Sequence, residues 1–360
     1  MDFRKENIVT ADDDTCGWLL ENGNYSSWVQ NDNGLLWIQG KAGAGKSTLM
    51  KYIYEKIQTP TIDASVLKLS FFFHARGIEL QRTPLGMLKS LLLQLYKGDS
   101  TSRTSIRKKF DKNSEDGMVE VKWDWTEKML EELFSNLVSQ ISRSRKVTVF
   151  VDALDEAGEE VANGLVTYLA NLYEKVQRNN GTVKICFSSR HYPILPEKVA
   201  ENQKVVVEHE NARGIQSFIQ QEFEQNLQED GLIKSKKLSL KLEGAITAKA
   251  NGVFQWVCLV LPIIFKADRE AKSLDSIEKI LDGLPKDLND IYKYILRDLI
   301  SQEQQAGVLK LFRWVCFAAR PLSVEEIQHA MAVVDSLPPL QVYNLKKIGR
   351  STRLNSSHRL

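Results

Sequence analysis

A parallel α/β sheet followed by an all-helical region is the fold class that this 360-residue sequence predicts, on three observations. Apolar runs without polar alternation stand at Leu35-Leu36-Trp37-Ile38, Val147-Thr148-Val149-Phe150-Val151 and Val183-Lys184-Ile185-Cys186-Phe187, the pattern of strands buried on both faces. The first of them runs into a glycine-rich segment and then a helical pattern, the strand, loop and helix order of a βα unit. From about residue 211 strand patterns stop and apolar residues recur at three- and four-residue steps, which marks a change of domain.

Taken in order, residues 1–33 read as a helical lead-in with an amphipathic stretch from Trp18-Leu19-Leu20 to Trp28. The first strand follows, and a second at Val66 to Phe73 leads to a leucine-rich helix around Leu85 to Tyr96. The polar, charge-mixed stretch from Lys97 to Val119 reads as a mobile insertion. Met129, Leu130, Leu133, Phe134, Leu137, Val138 and Ile141 then form one helix face packed on the sheet, with Arg143, Arg145 and Lys146 as cations favoured by its C-terminus. Val205-Val206-Val207 supplies a fifth strand. Beyond it, Phe218 to Phe223, Leu238 to Ile246 and Val253 to Phe265 are predicted helices, the last with Pro262 as a kink, and Gly283-Leu284-Pro285 breaks the pattern. Leu309 to Ala318, a turn at Arg320-Pro321-Leu322 and a helix from Ser323 with Glu326 completing a capping box resemble the helix-turn-helix core of a winged helix. DNA reading by that core is the alternative, but its Glu325-Glu326 face repels phosphate. Residues 349–360 are basic, Ser-rich and aperiodic, reading as a non-native scar or a disordered tail.

The chemistry concentrates at strand ends. Gly40-Lys41-Ala42-Gly43-Ala44-Gly45-Lys46-Ser47 fits the Walker A pattern, which predicts a bound nucleoside triphosphate with Mg²⁺. Gly40, Ala42, Gly43, Ala44 and Gly45 let backbone N–H groups close on phosphate oxygens. Lys46 neutralises β/γ charge, Ser47 is placed to ligate Mg²⁺, and Thr48 continues the helix start. Asp152, at the tip of the 147–151 strand, is the natural Mg²⁺ partner of Ser47. Asp155-Glu156 one turn later can orient and deprotonate a water, with Glu156 the candidate base and Asp155 beside it; the plainer reading is that both merely favour a helix N-terminus. Ser188-Ser189-Arg190 ends the third run, where ligands of open α/β sheets sit, so Arg190 either reaches a γ-phosphate or caps a loop at the surface.

Composition bounds the rest. The hydrophobic share of 43% suffices for a full core, and a net charge of only +2 calls for neither nucleic acid nor an anionic membrane surface. No apolar run approaches the ~20 residues of a membrane span and the N-terminus is charged rather than signal-like, so a cytoplasmic protein is the expectation. Cys16, Cys186, Cys258 and Cys316 are widely spaced and read as reduced core residues.

Several motifs in order carry a family resemblance: Gly34-Leu35-Leu36-Trp37-Ile38-Gln39-Gly40-Lys41 with its loop, Phe71-Phe72-Phe73-His74-Ala75-Arg76-Gly77, Phe150-Val151-Asp152-Ala153-Leu154-Asp155-Glu156, Ser188-Ser189-Arg190 and Ala250-Asn251-Gly252-Val253-Phe254-Gln255-Trp256-Val257. The chain resembles a NACHT-type P-loop NTPase of the STAND group, in the fungal heterokaryon-incompatibility-like branch, from about residue 5 to about 335. The resemblance implies an ASCE-type five-stranded core at 34–210, a helical subdomain at 211–290 and a winged-helix-like subdomain at 291–345. It implies a slow ATP/ADP-controlled signalling switch that self-associates in the ATP state. Asp152 would serve Mg²⁺, Glu156 would be the catalytic glutamate, and Arg190 the sensor arginine. Ile8 would be a candidate edge of the base pocket. Where relatives place a proline in a Gly-x-Pro segment, this chain has Gly252-Val253-Phe254. A repeat sensor and an N-terminal effector domain, usual in such proteins, are expected to be missing. Two other classes stay open: a P-loop small-molecule kinase, which needs an acceptor pocket and a lid, and a nucleic-acid-stimulated AAA+-like ATPase.

Overall fold

Why the strand patterns lack alternation is plain from the sheet they build. The computed structural model describes residues 3–11, 13–57, 66–115, 124–191, 199–230, 236–270, 274–318 and 322–332. Strands β1 (Gly34–Gln39), β2 (Val66–Phe72), β3 (Lys146–Asp152), β4 (Val183–Ser189) and β5 (Lys204–Val206) run parallel in the order β2-β3-β4-β1-β5. β4 thus separates β1, which feeds the glycine-rich loop, from β3, which ends in Asp152; this is the ASCE-type order expected.

Each of β1 to β4 buries both faces, and the edge strand β5 buries only Val205. Leu35 and Trp37 of β1 point into one core with Leu69, Phe71, Val149, Val151, Ile185 and Phe187, while Leu36 and Ile38 point into the other with Phe72, Phe150 and Cys186. The lead-in forms four short helices, α1 (Phe3–Asn7), α2 (Asp13–Cys16), α3 (Trp18–Glu21) and α4 (Gly23–Gln30). Leu19, Tyr25 and Trp28 from this lead-in cover the second face beside Leu49, Met50 and Ile53 of α5 (Lys46–Lys56).

The first face is covered by the helices between β2 and β3 and by the one after β3. Between β2 and β3 stand α6 (Glu79–Arg82), α7 (Pro84–Gly98), α8 (Ser100–Glu115) and α9 (Glu127–Ile141). Thr83 caps α7, accepting from Gly86 N–H at 3.3 Å with Pro84 in the first turn, and Thr126 caps α9. The expectation of a mobile insertion at Lys97–Val119 fails over 100–115, where α8 stands. Asp99 caps it, accepting from Ser102 N–H at 2.6 Å, and Ile106 packs on the core, so a polar composition marks an exposed helix rather than a loop. Residues 116–119 of that expectation lie outside the described residues.

A 3₁₀ turn, Leu154–Ala157, follows β3 and leads into α10 (Glu159–Arg178). After β5 come α11 (Val207–Glu210) and the helices α12 (Ala212–Asp230), α13 (Lys236–Ala250), α14 (Phe254–Arg269, with Pro262 inside), α15 (Leu274–Gly283) and α16 (Leu288–Tyr294). Their core is separate from the sheet's: Ile215, Ile219, Phe223, Ile246, Trp256, Val260 and Ile264 surround one another, and Trp256 Nε1 donates to Pro285 O at 2.7 Å.

The chain divides into two units, Met1–Ile300 and Ser301–Leu360. In the second, α17 (Gln302–Phe317) and α18 (Val324–Ala332) are described, and the predicted capping box is formed: Ser323 N–H donates to Glu326 Oε2 at 2.8 Å and Glu326 N–H to Ser323 Oγ at 3.2 Å. The turn residues Arg320 and Pro321, and the tail 349–360, lie outside the described residues. Of the four cysteines, Cys16 and Cys186 are buried as expected, but Cys258 and Cys316 are exposed. Cys258 follows the buried Trp256 and Val257 onto the outer side of α14, and α17 has no buried residue among those described. No helix among the described residues is long and apolar enough to cross a membrane.

Candidate functional site

The loop after β1 is shaped by its glycines. Gly43 and Gly45 have φ of 75° and 96°, a region that side chains avoid, and the resulting backbone alternation lets successive N–H groups converge on an anion. A Cβ at Gly43 would stand 2.6 Å from Gln255 Cβ, so the position also admits no side chain. α5 begins at Lys46 with no side-chain cap, leaving its first N–H donors and dipole facing the loop. Lys46 Nζ donates to the carbonyls of Gly40 at 2.8 Å and Lys41 at 2.9 Å. Burial lowers the affinity of its ammonium for the proton, and the charges of Asp155 and Asp152 oppose that.

Asp152 is fully buried at the tip of β3. Ser188 Oγ at the end of β4 donates to its Oδ1 at 2.6 Å and itself accepts from Ala153 N–H at 2.8 Å. The Ser47 hydroxyl bonds the same carboxyl group, whose Oδ2 has no hydrogen-bond partner among the described residues. Burial holds this carboxyl above the usual range, the cost of a charge with too few donors. A hydroxyl and a half-satisfied carboxylate are hard oxygen donors, and Mg²⁺ takes one or two such groups and completes its shell with waters and phosphate oxygens. The residues present therefore fit that cation.

The two acidic residues of the 3₁₀ turn point to different partners. Asp155 Oδ1 accepts from Arg190 N–H at 3.1 Å and Oδ2 pairs with Arg190 Nε at 3.0 Å. Glu156 is bound by Arg4 of α1: Nη2 donates to Oε1 at 2.7 Å, Nη1 donates to Oε2, and Ala75 N–H donates to Oε2 at 2.7 Å. Burial alone would raise the Glu156 carboxyl, but Arg4 overcomes it and the group lies below the ordinary glutamate range.

Behind the loop stand residues that sequence reasoning did not single out. Asn211 is buried and its Nδ2 donates to Ala44 O at 3.1 Å and to Gly252 O at 2.9 Å, tying the phosphate loop to the start of α14. Gln255 N–H adds a bond to Gly43 O at 3.1 Å. Gly252 has φ of 77°, and a Cβ there would lie 2.3 Å from Glu208 O, which explains a glycine at this crossing. Glu208 accepts from Lys41 N–H at 3.2 Å and from His191 Nε2. Ile8 offers its carbonyl to Lys51 Nζ at 2.6 Å, while Phe254 packs its ring 6.0 Å from that of Phe218.

The structure thus brings Gly40, Ala42, Gly43, Ala44, Gly45, Lys46, Ser47 and Thr48 onto one loop and helix start, with Asp152 beside Ser47 and Asp155, Glu156 and Arg190 along the same edge of the sheet. Arg4, Asn211 and Glu208 had no motif to announce them. Arg4 lies in a charged stretch, and Asn211 and Glu208 fall where one pattern gives way to another.

A parallel sheet of this order, with a glycine-rich loop at the end of β1 and a buried Asp at the end of β3, defines a P-loop NTPase core. Residues 14–190 match the family model described as Nephrocystin 3, N-terminal. The chain is 26% identical over 333 residues to the vegetative incompatibility protein HET-E-1 of Podospora anserina, covering 90% of this chain and 23% of that protein. It is 34% identical over 85 residues to the azaphilone pigments biosynthesis cluster protein L of Monascus ruber, covering 24% of this chain and 17% of that one. The chain spans less than a quarter of the length of these curated relatives. Among solved structures, the Aeropyrum pernix ORC1 protein in complex with DNA matches with a TM-score of 0.41 and 11% identity over 90% of this chain and 77% of its own, a likeness too slight to carry a conclusion. The motif reading and the relatives agree: the chain carries a P-loop NTPase core and is similar to NACHT-type proteins of the fungal NLR-like kind.

Proposed function

We propose that the chain is an ATP/ADP-controlled switch whose product is a conformation rather than a metabolite. It binds Mg·ATP, hydrolyses it slowly, self-associates in the ATP state and acts in the cytoplasm in fungal non-self recognition, the role that the name of the incompatibility relative suggests. The observation that carries this reading is the Asn211 bridge from Ala44 of the phosphate loop to Gly252. It makes a change in the loop a change in the packing of the helices behind it, a coupling that a metabolic enzyme does not need. The boundaries we propose, 34–210, 211–290 and 291–345, follow from the change of sequence pattern near residue 211 and from the family resemblance.

The roles of the residues are these. The backbone of Gly40–Gly45 and the open N-terminus of α5 bind the phosphates, and Lys46 leaves the Gly40 and Lys41 carbonyls to bridge β and γ oxygens. Ser47 and Asp152 hold Mg²⁺, which when bound neutralises charge between the β- and γ-phosphates. Glu156 takes the proton of the attacking water, and Arg190, tied to Asp155, reads the γ-phosphate. Turnover on the order of 10⁻⁴ to 10⁻² s⁻¹ is expected of such a switch without an arginine from a partner.

The test is the nucleotide content of the purified protein together with its mass in solution under ADP and under a non-hydrolysable ATP analogue. A larger assembly only with the triphosphate supports the switch. Equal mass in both, with rapid turnover that phosphorylates a small acceptor or rises with added DNA, assigns the chain to a kinase or a remodelling ATPase instead.

A further inference from the structure

Glu156 is engaged on both of its oxygens. Two N–H groups of Arg4 and the Ala75 amide are three donors on one carboxylate, and the side chains of Arg4 and Glu156 are only 18% and 22% exposed. A fork of this kind is among the strongest pairings available to a carboxylate. α1 is fixed to the sheet beneath it: the Lys5 ammonium lies 4.2 Å from the centre of the Tyr54 ring and 3.5 Å from Ser70 Oγ, and Lys51 Nζ donates to Ile8 O just past the helix. The arginine therefore does not reach Glu156 by chance of a long side chain; its helix is held against α5 and β2.

A general base needs a lone pair directed at the water it deprotonates, about 2.6–3.2 Å away. With three donors already on it, Glu156 has little left to offer. We infer that Arg4 is a positioning residue that holds Glu156 off the attacking water, so that hydrolysis accelerates when Arg4 releases it. This rests on the reading of Glu156 as the base. In the step concerned, Glu156 accepts a proton from water as the water oxygen bonds to the γ-phosphorus and the bond to the bridging oxygen breaks, giving ADP and phosphate. The charged and titratable groups that act on Glu156 include Arg4, His74 and the carboxylate of Asp152, and Asp152 and Asp155 face Arg4 as well. Removing Arg4 leaves Glu156 with burial, which favours its protonated form and makes it a stronger base.

The experiment measures kcat and KM for Mg·ATP across about pH 5 to 9 for the wild type, Arg4→Ala, Arg4→Lys, Glu156→Gln and the Arg4→Ala/Glu156→Gln double variant. Arg4→Ala should raise kcat on the order of tenfold, a part of the 10²–10⁴ that a positioned base contributes, with KM little changed and the acid limb of the kcat profile moved to higher pH. Arg4→Lys should fall between, because an ammonium cannot fork, and it also serves if the alanine variant does not fold. The double variant should be as slow as Glu156→Gln. A slow Glu156→Gln with an Arg4→Ala no faster than wild type and an unmoved acid limb overturns the role of Arg4 alone. A Glu156→Gln as fast as wild type overturns the base assignment itself, and the role of Arg4 with it.

Discussion

The loop Gly40–Ser47 and the turn Leu154–Ala157 face the same edge of the sheet but are held by different forces. The loop is fixed by backbone: left-handed glycines, the start of α5, and bonds from Asn211 and Gln255 to its own carbonyls. The acidic turn is fixed by guanidinium groups from elsewhere, Arg190 on Asp155 across 35 residues of sequence and Arg4 on Glu156 across 152. Backbone geometry does not respond to salt or to a rotating side chain, whereas a partly exposed ion pair such as Arg190–Asp155 is screened and can be exchanged for a phosphate. On the proposed reading, the half that binds is rigid and the half that reads and reacts is releasable, the division that a switch requires.

The most severe way to break the rigid half is Lys46→Ala, which deletes the cation proposed to reach between β- and γ-phosphates. A ligand at about 100 times its Kd stabilises the native form by roughly 2.7 kcal/mol. At ~2–4 °C per kcal/mol, wild type should gain roughly 5–11 °C in Tm with Mg·ATP and the variant almost nothing. Equal shifts in both proteins would remove the loop from the nucleotide site.

Arg190→Ala probes the releasable half. Its guanidinium is exposed enough to leave Asp155 for a γ-phosphate, its side chain being 39% accessible. Loss of one charge-assisted bond should weaken binding of an ATP analogue on the order of tenfold to a hundredfold and leave ADP nearly unchanged. Paired titrations with the two nucleotides decide it. A parallel loss for both would make the Asp155 pair structural and pass the sensing to Arg76 or Arg82.

The same division explains what could be read from sequence. Gly43, Lys46, Ser47 and Asp152 lie in contiguous patterns whose local geometry dictates their chemistry, and the five strands announced themselves through short, largely apolar runs. Arg4 on Glu156 and Asn211 on Ala44 are meetings of distant segments, fixed by how the lead-in and the helices pack rather than by any local spacing. α8 escaped because its stability comes from the Asp99 cap and Ile106 rather than from a full apolar stripe, and Cys258 because an apolar neighbourhood in sequence is not a buried face.

Asn211→Ala tests whether the loop is tied to the helices behind it as firmly as the hydrogen bonds suggest. The substitution leaves the buried carbonyls of Ala44 and Gly252 without their side-chain donor, a cost of about 1–3 kcal/mol. Chemical denaturation should show that loss. If the two-state coupling holds, the ligand-induced change in mass should weaken as well. An intact mass change with unaltered stability would mean that Gln255 alone carries the connection.

The smallest effect concerns Glu208, which links Lys41 of the loop to His191. Burial pushes its carboxyl up, but the His191 ring and the Lys41 N–H outweigh burial and hold it below the ordinary glutamate range. A lowered value in the folded state means that its contribution is complete above the unfolded value, about 4.3, and is lost as pH falls through the folded one. His191 is 43% exposed, so solvent screens the pair and the contribution is about 1 kcal/mol or less. The Tm of wild type should therefore exceed that of Glu208→Gln by no more than roughly 2–4 °C near neutral pH, and the gap should close on acidification below the unfolded value. A gap that stays constant down to about pH 3 would show that Glu208 does not titrate there and that the Lys41 end of the loop is held by hydrogen-bond geometry alone.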